Sequence, residues 1–419
     1  MSQNHKGTVA IVGSGIIGLC SALRLQQQGY QVTLFDSKGV GNGASFGNAG
    51  HFATEQVFPL ANPTLLPQLP KMLFDPLGPF KIQPNYLLRA IPWFVRFLRA
   101  MTPHQRAKNT KAIKALNEVS ITKWQQLLAQ IDGQDCLTLK GSLLTYEAAS
   151  IEQLEHDFQQ YRSQGVAVKK LTKLQLLQLE PDLSPNVLGA LHFTDVGHTL
   201  DPLILSQRIF EAFSALGGEL IESDVKQIAS AFAPLMVETS DESYTFNKLI
   251  VCAGAFSKAL ALQVGYRVPL EVERGYHLML PSSPQLTRPI ASNDRKFIMT
   301  PMANGLRLAG TVEFGGLDNA PDYRRSEMML THAKALLPEL KDLTLDQVAD
   351  DARWMGFRPS LPDSLPVIDQ SCYNPNIYFN FGHQHLGLTW GAVCGELIAD
   401  LVAGKPSQID LMPYRVNRF

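Results

Sequence analysis

Cysteine is scarce in this chain of 419 residues: Cys20, Cys136, Cys252, Cys372 and Cys394 stand far apart, odd in number and without a C-x-x-C pair. That pattern excludes a disulfide-framed secreted scaffold and a thiolate metal knuckle, and it points to free thiols in a reduced compartment. Net charge is lacking too. Lysine and arginine number 37 against 38 acidic residues, which removes any global electrostatic case for nucleic-acid binding. No apolar run reaches the roughly 18 residues of a membrane span, and Met1–Lys6 carry no leader-like apolar stretch. A cytoplasmic protein is the expectation. One further absence is local: no acidic residue occurs between Asp75 and Glu118, where eight lysines and arginines do. There, residues 86–101 are apolar and aromatic, with Arg89, Arg96 and Arg99 near one helical face. Residues 86–114 are therefore a candidate for peripheral contact with an anionic membrane, on the cytoplasmic face of the inner membrane. The competing reading is a helix that packs Trp93 and Phe94 inward.

What is present is an ordinary globular composition, 45% hydrophobic and 18% charged, over a length that favours two structural units. The strongest local signal is Val9-Ala10-Ile11-Val12-Gly13-Ser14-Gly15-Ile16-Ile17-Gly18. It reads as a buried strand, a glycine turn and a helix start. A second β-rich run, Gln31–Phe35, ends at Asp36 and Ser37. This is the G-x-G-x-x-G dinucleotide fingerprint in its proper context. Gly13 permits the turn, Gly15 admits a pyrophosphate to the backbone, and Gly18 allows close helix–strand packing. Asp36 stands where a carboxylate accepts ribose hydroxyls, and the helix start favours phosphate.

Further along, a helix is predicted around Lys108–Ile131, and strands at Ser142–Tyr146 and Leu188–Phe193. Asp201-Pro202 marks another helix start. The strand Lys248–Val251 runs into a second small-residue turn, Ala253-Gly254. Strands follow at Gly275–Leu280, Phe297–Thr300 and Leu306–Gly310, with a final helix at Val393–Val402. The expected fold class is α/β: a Rossmann-type dinucleotide-binding domain with an inserted α+β substrate domain on a mostly antiparallel sheet. Residues 7–57, 199–267 and 351–419 are assigned to the first, and 58–198 and 268–350 to the second.

Three more segments now become informative: Gly43-Ala44-Ser45-Phe46-Gly47-Asn48-Ala49-Gly50; Gly356-Phe357-Arg358-Pro359 followed by Pro362-Asp363-Ser364-Leu365-Pro366-Val367-Ile368; and Gly382-His383-Gln384-His385-Leu386-Gly387-Leu388-Thr389. Together with the fingerprint, and in this order, they resemble the D-amino-acid oxidase superfamily of FAD-dependent oxidoreductases, most closely its bacterial D-amino-acid dehydrogenase branch. The resemblance implies FAD as cofactor. It implies that Ala44, Ser45, Asn48, Ala49 and Gly50 approach pyrophosphate and isoalloxazine, and that Val225, Ala253 and Gly254 flank the adenosine side. It also implies that Gly382, His383, His385 and Leu386 form the terminal turn. Gly387, Leu388 and Thr389 would then meet the pyrimidine end at a helix start. Only one dinucleotide fingerprint is present, so no second nucleotide site is expected.

Such chemistry removes a hydride from the α carbon of an amino acid to flavin N5. Carboxylate orientation needs a planar bidentate donor, and the resemblance makes Arg358 that anchor. Tyr276 could hydrogen-bond the same carboxylate or be an ordinary strand tyrosine. His51 follows the flavin-side turn and could face the pocket, with Glu55 and Gln56 as weaker candidates for reading the amine. His383 and His385, two apart and without acidic or cysteine partners, do not suggest a metal. The leading reading is an FAD-dependent dehydrogenase of D-amino acids, cyclic ones such as D-proline or cis-4-hydroxy-D-proline among them. Its electrons pass to a quinone or other carrier. The alternatives are an oxygen-using oxidase of glycine, sarcosine or another secondary amine, and a flavin-binding assembly subunit with little activity of its own.

Overall fold

The computed structural model describes residues 6–68, 78–229, 234–281 and 285–419. Residues 1–5 and part of the proline-rich stretch after Phe58 thus lie outside the described residues. The fingerprint strand Thr8–Val12 sits at the centre of a six-stranded sheet, between Gln31–Phe35 and Lys248–Val251. All its neighbours are parallel except Val367–Gln370, which runs antiparallel to Ile377–Phe381 at one edge. These strands read as continuous apolar runs because both faces are covered. One face carries helix α1 (Ile16–Gln27) and the other is closed by apolar residues of a three-stranded sheet, Val225–Ala229, Leu235–Thr239 and Ser243–Phe246.

A second, nine-stranded sheet holds the other part of the chain, antiparallel apart from two pairings. Its edge is built from Gly305–Phe314, Glu271–Leu280 and Arg353–Ser360 in that order. Against this edge packs helix α2 (Leu87–Ala100), which buries Trp93 on Phe314 and stacks it on Phe97 at 4.9 Å. Helix α3 (Pro103–Gln130) follows. Helix α4 (Arg324–Leu336) packs on the large sheet. The last long helix, α5 (Gly387–Val402), lies against α1 and α3.

Two boundaries differ from the sequence reading. The strand Arg353–Ser360, assigned to the dinucleotide-binding part, pairs along its whole length with Glu271–Leu280 of the large sheet. Helix α3, assigned to the substrate part, instead buries Trp124 in the core of the dinucleotide-binding part. The indole N–H donates to the carbonyls of Leu388 and Thr389, both at 3.0 Å. Ser120 Oγ adds a bond of 2.8 Å to the Thr389 carbonyl, so α3 holds the first turn of α5 in place. α5 also begins six residues earlier than the predicted Val393, at Gly387.

Candidate active site

The fingerprint forms a turn that only glycine allows. Gly13 has φ +108°, and a Cβ there would lie 2.4 Å from the Cys252 carbonyl oxygen. At Gly18 a Cβ would lie 1.9 Å from the Gly13 carbonyl oxygen, so its role is helix–strand packing rather than lining the cleft. Asp36 binds the turn together: its two oxygens accept the backbone N–H groups of Ser14 and Lys38, each at 2.8 Å. It keeps its place on the cleft wall beside Ser37. Ser14 Oγ donates to the Gly39 carbonyl at 3.0 Å. Ser45 Oγ reaches across to accept the Ile16 N–H at 2.9 Å, so the second motif covers the start of α1.

Above this turn lies a cleft of about 490 Å³. Gly13, Gly15, Ile16 and Ile17 line it, as do Ala44, Ser45, Asn48, Val225, Ala253 and Gly254, with Gly382, His383, Gly387 and Leu388 at the far end. Neither α1 nor α5 is capped by the side chain of its own N-cap residue, Ser45 taking only the Ile16 N–H of α1, and both starts open on this one cleft. Each leaves backbone N–H donors and the positive end of a helix dipole aimed into the same space. The donor set and the glycine cradle fit FAD: phosphates at the α1 start, and a ring accepting hydrogen bonds at the α5 start.

The turn at 45–50 is held from the large sheet. Arg307 Nη1 donates to the carbonyls of Asn48 at 2.5 Å and Phe46 at 3.2 Å. His277 Nδ1 lies 3.2 Å from the Gly47 carbonyl, and its ring stacks on Trp354 with centroids 5.0 Å apart. Trp354 itself lines the cleft. Asn48 Oδ1 accepts the Gly50 N–H at 2.9 Å, and Thr199 N–H donates to the Gly50 carbonyl at 2.7 Å. Sequence reasoning missed Arg307, His277 and Trp354. Trp354 stands two positions before the G-x-R-P motif, and His277 one position after Tyr276. Arg307 had no local signal.

Arg358 stands on Arg353–Ser360 opposite Glu273, on the sheet face that also carries His277 and Trp354. Its Nη1 donates to the Thr311 carbonyl at 3.1 Å. Among the described residues no carboxylate lies within 4 Å of it; Glu273, the charge that acts on it, accepts Ser360 Oγ at 2.6 Å instead. The guanidinium lies deep, and burial depresses its pKa, yet the residue keeps accessible surface. Gly275 makes room for it: a Cβ there would lie 2.3 Å from Arg358 Cζ.

Tyr276 requires a correction. One residue further along a strand reverses the face, and its hydroxyl donates to Glu313 at 2.5 Å and accepts the Asp322 N–H at 3.1 Å. It belongs to a buried network with Arg274, 3.7 Å from Glu313, on the side away from Arg358. Thr389 also departs from expectation. It is fully buried, and its hydroxyl accepts the Ala53 N–H at 2.9 Å.

His51 and Phe52 pair with His198 and Gly197 in a two-stranded ribbon. Among the described residues His51 Nε2 has no hydrogen-bond partner and lies 3.6 Å from Glu55 Oε1, and the other Glu55 oxygen is also buried without one. Burial pushes the Glu55 carboxyl up to about 7 and the His51 ring down to about 4. The His385 ring is also held down to about 4, first by burial and then by the charges of Arg358 and His51. His383 is pushed down to about 3 by burial. Of these groups His385 feels the Arg358 charge, and Glu273 is the carboxyl that acts on Arg358 itself.

A family model described as FAD dependent oxidoreductase (DAO) matches residues 8–401. A D-amino-acid oxidase of Bradyrhizobium diazoefficiens is 32% identical over 98% of this chain and 98% of its own. A D-amino acid dehydrogenase of Neisseria meningitidis is 26% identical over 98% and 99%. Among solved structures, glycine oxidase from Geobacillus kaustophilus superposes with a TM-score of 0.75 at 22% identity, covering 99% of this chain and all of the other. L-proline dehydrogenase from P. horikoshii gives 0.76 at 16% identity, with 99% and 98% covered, so the fold is shared.

Proposed function

This chain belongs to the DAO family of FAD-dependent oxidoreductases, and from that membership we propose that it dehydrogenates D-amino acids and passes the electrons to a quinone or other carrier. The single observation that carries the substrate reading is Arg358. A buried guanidinium with no carboxylate within 4 Å among the described residues is an unfinished ion pair, and an amino acid's carboxylate completes it. One N–H is anchored on Thr311, which orients the planar fork and leaves donors for a bidentate clamp. Clamping the carboxylate restricts where the α carbon can lie. Glu55 and His51, close to each other, offer acceptors for the proton that the ammonium group must lose before the C–H bond is oxidised. FAD, when bound, supplies the two-electron acceptor. The backbone N–H groups at the start of α5 present the positive end of that helix to the far end of the cleft.

Anaerobic addition of single D- and L-amino acids to the purified holoenzyme tests this reading by flavin absorbance. D-amino acids, D-proline included, are expected to bleach it. If none in a broad D-panel does, the substrate assignment fails. A second reading keeps the chemistry and changes the acceptor: the relative at 32% identity carries the name oxidase. Hydrogen peroxide formed in step with substrate consumption in air would favour that reading, and turnover only with an added dye or quinone the first.

A further inference from the structure

Helix α2 turns its aromatic side inward, with Trp93 and Phe94 packed on Phe314 at 5.3 and 5.0 Å. Its opposite side is aliphatic and uncovered among the described residues. Leu88 is 79% exposed, and Leu87, Ile91, Val95 and Leu98 are 43–50% exposed. At 3.6 residues per turn these five form one stripe along the helix. Arg96 and Arg99, with Arg89 a further two turns back, run along one edge of that stripe, exposed and without a carboxylate within 4 Å among the described residues. An exposed apolar stripe of this size is the unusual observation on a protein surface, since isolated exposed aliphatics are not.

The patch continues beyond the helix. A groove of about 620 Å³ begins at its N-terminal end and is lined by Tyr86, Arg89, Lys258, Phe256 and Leu262. Phe256 and Leu262 are 50% and 55% exposed. That groove shares Ala255, Phe256 and Ala259 with the dinucleotide cleft. The chain supplies no acidic residue from 76 to 117, and the acidic residues of the groove, Glu271 and Asp318, come from other elements and make no ion pair with Arg89, Arg96 or Arg99 within 4 Å among the described residues.

We propose that α2 is an interfacial helix that seats this protein on an anionic lipid bilayer, with Leu88, Ile91, Val95 and Leu98 entering the headgroup boundary and Arg89, Arg96 and Arg99 meeting lipid phosphates. An aliphatic stripe edged by arginine on a helix too short to span is the pattern of helices that lie in the membrane plane, and no helix among the described residues is long and apolar enough to cross a membrane. Charge complementarity selects lipid over a second copy of the chain. A two-fold contact through this face would set arginine rows against each other, whereas a phosphate surface attracts them. The proposal concerns docking, and it stands whichever amino acid the cleft takes.

Sedimentation of the full-length holoenzyme with vesicles tests it. The protein is expected to pellet with phosphatidylcholine–phosphatidylglycerol vesicles at low salt, but not with pure phosphatidylcholine, and to be released by high salt. Arg96→Gln with Arg99→Gln should weaken binding roughly 30-fold, from about one kcal/mol per surface arginine. Leu88→Ser with Val95→Ser should weaken it as well. Both variants should keep wild-type flavin content and melting temperature. Failure of the wild type to bind the anionic vesicles, or variants that bind as the wild type does, would overturn the proposal. So would a wild-type dimer in sedimentation equilibrium that Leu88→Ser with Val95→Ser turns into a monomer, since the face would then belong to a second copy.

Discussion

Arg358 is defined by what stands around it: a carbonyl on one nitrogen, the His385 ring nearby, Glu273 opposite on the next strand, and no carboxylate within 4 Å among the described residues. Arg358→Ala should lower kcat/KM for a D-amino acid by about 2–5 kcal/mol, roughly 30- to 4000-fold, with flavin content unchanged. Steady-state kinetics on both proteins checks this. Gly275→Ala reaches the same group indirectly. Its Cβ would displace the guanidinium, and a shift of about 1 Å should cost roughly a hundredfold in turnover while the flavin stays bound. Glu55 and His51 make opposite demands on pH. A carboxyl raised from 4.5 to about 7 makes stability fall as pH climbs through that interval. A histidine lowered from 6.5 to about 4 makes it rise across its own interval. Glu55→Gln should therefore steepen the rise of melting temperature between pH 4 and 6.5. It should also abolish the inflection near pH 7 that Glu55 gives kcat/KM. An unchanged inflection in the variant would remove Glu55 from the proton path.

The strand Glu271–Leu280 illustrates why some of the site was legible and some was not. Arg358 could be found because its G-x-R-P setting is local and distinctive. Tyr276 and His277 could not be separated, because nearly every residue of that strand is buried. With both faces covered, no polar–apolar alternation marks which side meets the cleft, and an error of one residue exchanges Tyr276 for His277. The same loss of contrast hid the membership of Arg353–Ser360, whose partners lie far away in sequence. The dinucleotide turn was legible almost in full, since its requirements are steric and fall within a few residues. Gly13→Ala tests that directly: with φ at +108° and the Cys252 carbonyl 2.4 Å from the added carbon, the variant should retain no flavin. Flavin absorbance relative to protein, with circular dichroism to follow folding, measures it.

Two sheets meet over one cleft, and each contributes what the other lacks. The six-stranded sheet aims two helix starts, neither capped by its own N-cap side chain, into it. The antiparallel sheet brings Trp354 to its lining, carries Arg358 and His277 on the same sheet face as Trp354 and, through Arg307, grips the turn at 45–50. Helix α3 locks the start of α5 from behind, which no local pattern announced, because Trp124 is more than 260 residues from its partners. In the proposed function the buried Arg358 guanidinium holds a substrate carboxylate against a flavin. Rapid anaerobic mixing of a D-amino acid with wild-type and Arg358→Ala holoenzymes tests it most directly. Fast flavin bleaching in the wild type, and bleaching slowed at least 30-fold in the variant at subsaturating substrate, is the predicted result. Equal rates in the two proteins would contradict it.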